Sequence, residues 1–385
     1  MPAKTDHNAH NAKSRSLIIS GLGGDEAFCL RLAGYKPGHL LVGNSVQSLG
    51  FVGSLSAGVR NLSGGESWDI TQAIKSGRDA ALARLVSESN QVEAHGVSGV
   101  SSEIRSFSGQ IEFLSTGSAI NSDAPGPHFT TSFDGKELFC AIDAGYAPRK
   151  FAFGNIAYSV GLGGGFIGGL KTLARGEIKE FSDVLNATRH AALLRLQKDA
   201  AAAGANAVLG IEVDMMPFGG FHEMLMTGTA CHHPGLPPGR VATCDLMCDE
   251  LWSLAKMGYA PLRLVMGTAV YSLGLSGGIM AAWRGLSRGE VPELTQMVYE
   301  AREHALDLLE ADAKSCGADM VLGTDVYIHE LSSGLVEFMA IGTAVKKSPA
   351  ATCSSDALPV QAIAVHRRTF RNSADNMLSG SGLSS

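Results

Sequence analysis

The sequence contains one pattern three times over, and this constrains its fold more than any other feature. Gly34-Tyr35-Lys36-Pro37 returns as Gly145-Tyr146-Ala147-Pro148 and as Gly258-Tyr259-Ala260-Pro261, at spacings of 111 and 113 residues. The same spacings align Ser48-Leu49-Gly50 with Ser159-Val160-Gly161 and Ser272-Leu273-Gly274. Each copy closes alike, on Thr116-Gly117-Ser118-Ala119, Thr227-Gly228-Thr229-Ala230 and Ile341-Gly342-Thr343-Ala344, the third after one inserted residue. A chain of 385 residues with this period is built from tandem structural units that stack on one another.

Local signals give each unit the order α-β-α-β-β. Asp134-Gly135-Lys136-Glu137 has the spacing of a capping box, which places a short helix there. That helix stops at the glycine of Gly-Tyr-x-Pro, as a C′ glycine followed by proline requires. The runs LLVGNSV, KFAFGNIAYSV and RLVMGTAVYSL read as buried strands. A glycine-rich turn then leads to a long helix; in the third copy Pro292 suits its first turn, and Leu294, Val298, Ala301, Ala305, Leu308 and Ala311 form an apolar face. Gly204 and Gly317 are its expected stops, and a two-stranded hairpin about Phe218-Gly219-Gly220 or Ser332-Ser333-Gly334 completes the unit. The expected fold is α+β: three two-layer repeats with small antiparallel sheets, over residues 17–120, 128–231 and 241–346. Linkers are expected at 121–127 and 232–240, and disordered tails at 1–16 and 347–385.

Composition narrows the function classes. A net charge of -6 and the lack of a basic cluster argue against nucleic-acid and anionic-membrane partners. No run approaches the ~18 apolar residues of a membrane span, and the N-terminal stretch lacks a signal peptide's apolar region, so a soluble cytoplasmic protein is expected. Seven cysteines, an odd number scattered along the chain, point to reduced thiols.

The segments GANAVLGIEVD and GADMVLGTDVY, with the closing Gly-Thr-Ala and the strand, glycine turn and long helix before them, resemble the YbjQ-like family. Copy one departs, with EAHGVSGVSSEI at the corresponding place. The resemblance implies a two-layer unit like a dodecin subunit, assembling into a ring whose sheets make a barrel-like centre, and hence a homo-oligomer. It also carries a heavy-metal-binding label, although the shared motif holds few thiols or imidazoles.

Two residue types recur at equivalent positions. Arg78, Arg189 and Arg302 lie on the long helix; Glu66, Glu177 and Glu290 precede it; Glu112, Glu223 and Glu337 fall in the last strand. Without a nucleophile or histidine beside them, they are read as structural pairs in which a guanidinium grips a carboxylate where units abut. The turn GLGGGFIGGLKT fails as a phosphate loop because Leu170 separates Gly169 from Lys171 and Thr172. His222, Met224 and Met226 share one strand face, a set that suits Cu(I) but is read as core because neither other copy repeats it.

The one ligand-rich stretch is CHHPGLPPGRVATCDLMC at 231–248. His232, His233, Cys244 and Cys248 could supply four ligands to zinc or another thiophilic metal. Against this, Cys-x3-Cys at a helix start is not a tight knuckle, and adjacent histidines point their rings apart. Cys231 aligns with Ile120 and Val345, which makes it a buried thiol; Cys248, at the first helical position, is expected to be the most reactive through the helix dipole. With no catalytic set recurring between copies, the sequence points to a non-enzymatic oligomeric protein that binds a metal ion or small ligand. The alternatives are a metal-free scaffold whose tails meet protein partners and, last, an enzyme with a site between repeats.

Overall fold

The structure is a computed structural model that describes residues 17–48, 65–107, 110–159, 176–218, 221–272, 292–332, 335–363 and 370–372. The first repeat runs α1 (Gly24–Leu32), β1 (Lys36–Ser48), β2 (Gly65–Glu66), α2 (Trp68–Gln91), β3 (Gly96–Phe107) and β4 (Gln110–Asn121). The second is β5 (Phe129–Thr130), α3 (Gly135–Asp143), β6 (Ala147–Ser159), β7 (Gly176–Glu177), α4 (Lys179–Ala202), β8 (Ala207–Phe218) and β9 (Phe221–His232). The third is β10 (Ala242–Thr243), α5 (Cys248–Lys256), β11 (Tyr259–Ser272), α6 (Pro292–Ser315), β12 (Met320–Ser332) and β13 (Leu335–Lys347). A 3-10 turn (Val360–Ala362) and β14 (Phe370–Asn372) follow.

The local signals act as their chemistry dictates. Asp134 accepts from the backbone N–H groups of Lys136 and Glu137 at the start of α3. Each short helix ends before a left-handed glycine, Gly34, Gly145 or Gly258, at φ 85°, 85° and 79°. In β1, β6 and β11, the first long strand of each repeat, one glycine lets the long helix lie directly on the sheet. A Cβ on Gly43, Gly154 or Gly267 would stand 2.1, 2.3 or 2.1 Å from the carbonyl oxygen of Ala81, Ala192 or Ala305. The buried line of α6 differs from the expected face, running through Met297, Ala301, Ala305, Leu309 and Ala313. Steps of four follow the ridge that packs along the helix, so Leu308 and Ala311 drift off it toward solvent.

The repeats exchange strands. The first sheet has the order β1-β4-β3-β5, the second β10-β8-β9-β6-β2 with β14 also on β8, and the third β12-β13-β11-β7. Thus β5 and β10, the first strands of repeats two and three, run parallel to β3 and β8 of the repeat before. In the other direction, β2 and β7 close the edges of β6 and β11 in the repeat after. The faces of the second and third sheets are likewise covered from next door: Phe151 and Phe153 of β6 cluster with Leu85 of α2, and Leu264, Met266 and Val270 of β11 with Leu185, Leu193 and Leu196 of α4. A further cluster gathers the short helices of all three repeats, with Leu30 of α1, Leu138 of α3 and Leu251 of α5.

A further expectation differs from what is seen. Residues 348–363 are not a disordered tail: Ser355 donates through its hydroxyl and backbone N–H to the Asp143 carboxylate at 2.6 and 3.1 Å, and Ala362 is buried among the short helices. Few long apolar side chains were needed there, because Asp143 and the helix bundle supply the partners. Within a single chain the described residues form three separate sheets and no closed barrel; the barrel-like ring expected above is a property of an assembly of chains. The N-terminal tail and the GLGGGFIGGLKT turn lie outside the described residues.

Candidate functional site at the joints between repeats

At the first joint, Arg78 of α2 reaches Glu223 of β9 with both side chains fully buried. Its Nε donates to Oε1 at 3.0 Å and one terminal nitrogen to Oε2 at 2.7 Å, a bidentate grip. The other terminal nitrogen donates to the backbone carbonyl and hydroxyl of Ser102 at 3.0 and 2.9 Å. At the second joint Arg189 of α4 pairs with Glu337 of β13, again fully buried, and also meets the Thr268 hydroxyl. Each arginine belongs to one repeat and each glutamate to the next.

The third position is different. Arg302 of α6 is exposed, and Glu112 of β4 is half-buried, accepting from the Asn44 amide at 3.0 Å. Of the residues ahead of the long helix, Glu66 pairs with Arg195 of the following repeat at 2.8 Å, and Glu177 lies 3.6 Å from His304 of the following repeat. Glu290 lies outside the described residues.

Backbone pairing at the same joints depends on residues that composition and spacing had not singled out. The Thr71 hydroxyl accepts from the N–H of Ala157, and the Ser182 hydroxyl accepts from the N–H of Val270, both at 2.9 Å. The recurrence of a hydroxyl at Thr71, Ser182 and Thr295 was the available signal. It is faint because Ser and Thr are common on helices for other reasons.

The Cys- and His-rich stretch is taken apart by the fold. Cys231, Cys244 and Cys248 are fully buried in the short-helix cluster with Cys29 and Cys140. Burial pushes the Cys244 thiol up to about 12, with Asp245 adding to it. Cys248 stands well above its ordinary value, first by desolvation and then through Glu137 and neighbouring thiols. The expectation that the helix dipole would make Cys248 reactive is therefore corrected: in an apolar core the cost of a bare thiolate exceeds the partial charge at a helix end. His233 is buried against the Tyr146 ring at 4.5 Å, and its Nδ1 accepts from the Gly235 N–H at 3.1 Å. His232 ends β9, half-buried and opposite Ala147. Among the described residues no three His, Cys, Asp or Glu side chains stand together as a metal-ligand group. His222 lies beside Tyr158, while Met224 and Met226 fill the core between repeats two and three.

Comparison with known proteins adds the following. A family model described as "Putative heavy-metal-binding", of the YbjQ type, matches residues 36–123, 147–233 and 258–348. An "Encapsulin nanocompartment protein Rv1762c" of Mycobacterium tuberculosis is 29% identical over 232 residues, 57% of this chain and 86% of that protein. A UPF0145 protein of Methanoregula boonei is 47% identical over 81 residues, 21% of this chain and 68% of its own length. Another, from Saccharolobus islandicus, is 41% identical over 85 residues, 22% of this chain and 75% of its length.

Proposed function

The chain belongs to the YbjQ family, and on that premise we propose that it is a non-enzymatic assembly protein: three subunit-like repeats fused into one segment of a larger, cytoplasmic protein scaffold. The observation that carries this reading is where the recurring charged groups are used. Arg78, Glu223, Arg189 and Glu337 lie wholly inside the joints between repeats, where they fix orientation and meet no solvent or substrate. Buried ion pairs of this kind contribute little net stability but strongly penalise a misplaced partner. The relative named as an encapsulin nanocompartment protein supports a role among large protein assemblies.

The metal implied by the family description does not fit the described residues. Zinc and softer metals take thiolates and neutral imidazoles on a shared site. Here Cys244 and Cys248 are sealed in an apolar core with their proton loss suppressed, and His233 is spent on the backbone. The test is elemental analysis of purified protein after exposure to excess zinc or copper, alongside its mass in solution. The reading expects metal well below one equivalent and a mass above that of one chain. Stoichiometric metal that disappears in a Cys244→Ser, Cys248→Ser variant would overturn it.

A further inference from the structure

The two joints inside the chain leave one half-joint open at each end, and the two halves are complementary. On the first repeat, Leu40, Val42 and Val46 of β1 are 38, 43 and 48% exposed. Their equivalents in β6, Phe151, Phe153 and Ala157, are 2, 4 and 0% exposed, because the repeat before covers them. On the third repeat, Val326 and Ile328 of β12 are 38 and 44% exposed, whereas Val213 and Met215 of β8 are 0 and 5%. These apolar faces are of the same kind as those buried at the internal joints, and scattered single exposure does not account for aligned rows of them.

Polar groups match in the same sense. Arg302 is exposed where Arg78 and Arg189 are buried against a glutamate of the following repeat, and Glu112 is the one member of its series without an arginine ion pair among the described residues. Thr295 of α6 is exposed where Thr71 and Ser182 accept a backbone N–H from the following repeat. The N–H of Val46 on the edge strand β1 holds the place of the donors Ala157 and Val270. The edge of β12 at Met320–Val321 lacks, among the described residues, the parallel strand that β3 and β8 receive from β5 and β10. The equivalent of those strands in the first repeat is the exposed pair Ile18-Ile19.

From this we infer that the third repeat of one chain docks on the first repeat of a second copy, head to tail, with Arg302 buried against Glu112 and Ile18-Ile19 laid along β12. The inference rests on the assembly reading above and names its interface. The contact is heterologous, so the same joint repeats until it closes: two chains complete a ring of six repeats, and a rotation that does not close gives a filament. One joint geometry, used twice within the chain, is then used again between chains.

Charge reversal tests it. Wild-type protein is expected to run in light scattering as two or more chains. Arg302→Glu and Glu112→Arg, each alone, place like charges in a desolvated joint and are expected to weaken association by ~100-fold or more, leaving folded monomers. Mixed one to one, the two variants can alternate so that every joint holds opposite charges. The introduced glutamate then faces the introduced arginine at one joint, the native pair is restored at the next, and the mixture is expected to reassemble. Reassembly also shows that neither variant was monomeric through misfolding. Single variants that keep the wild-type mass, or monomeric variants that do not recombine, overturn this interface and leave the assembly reading standing. A wild-type monomer at tens of micromolar overturns both.

Discussion

At the scale of single residues, the fold is set by groups whose cost depends on a partner far away in sequence. Arg189 and Glu337 are tolerable in the core only together. Arg189→Met alone is expected to lose about 3–5 kcal/mol by stranding a buried carboxylate, whereas Arg189→Met with Glu337→Leu is expected to recover most of that. Urea denaturation of both variants measures it, and equal losses would show that the pair itself, and not the stranded charge, was what mattered. Glu93 is the opposite case, a local strain with no distant cause. It takes φ 55° at the end of α2, where Gly204 and Gly317 close the other long helices at 72°. Glu93→Gly is expected to raise stability by up to about 1 kcal/mol in the same experiment, since a Cβ is disfavoured in that region.

At the scale of elements, the long helices rest on strands through a single bare backbone contact. Gly154→Ala would drive a methyl into the Ala192 carbonyl and the Leu196 N–H, both backbone atoms that cannot turn aside. A loss of about 1–3 kcal/mol is expected, the usual cost of overpacking, read as a lower midpoint in thermal melts. An unchanged midpoint would mean that α4 slides on the sheet without cost. Much of this layer was legible beforehand. The capping box at Asp134, the glycine stops and the α-β-α-β-β order all follow from i,i+3 hydrogen bonds and left-handed dihedrals, which are properties of short windows. The two-residue strands β2, β5, β7 and β10 were not legible. Their pairs of residues carry no periodicity, and each is a strand only because an edge in another repeat lies beside it.

At the scale of the whole molecule, the repeats are not separate domains, since apolar clusters run across their joints and through the short helices. The thiols in that shared core give it a pH dependence. Cys231, Cys244 and Cys248 have proton affinities raised above those of the unfolded chain, chiefly by burial. Their contribution is whole below about pH 8.5 and is lost as pH rises, by up to about 1.4 kcal/mol per pH unit for each thiol. Denaturation midpoints are expected to fall steeply from about pH 8.5 to 10.5, with these thiols unreactive to a thiol reagent in the folded state at about pH 8. A midpoint indifferent to alkali would place the thiols in water.

The sequence by itself determined the number of repeats, the order of elements within each and the positions that recur, because repetition and short-range geometry are written in contiguous residues. Only the tertiary structure decided which recurring groups meet. It placed Arg78 on Glu223 instead of on the Glu112 of its own repeat. It sealed Cys248 away from the water that its position at a helix start had promised. Burial and pairing belong to the neighbour a residue is given, and for Arg78 and Arg189 that neighbour is the next repeat.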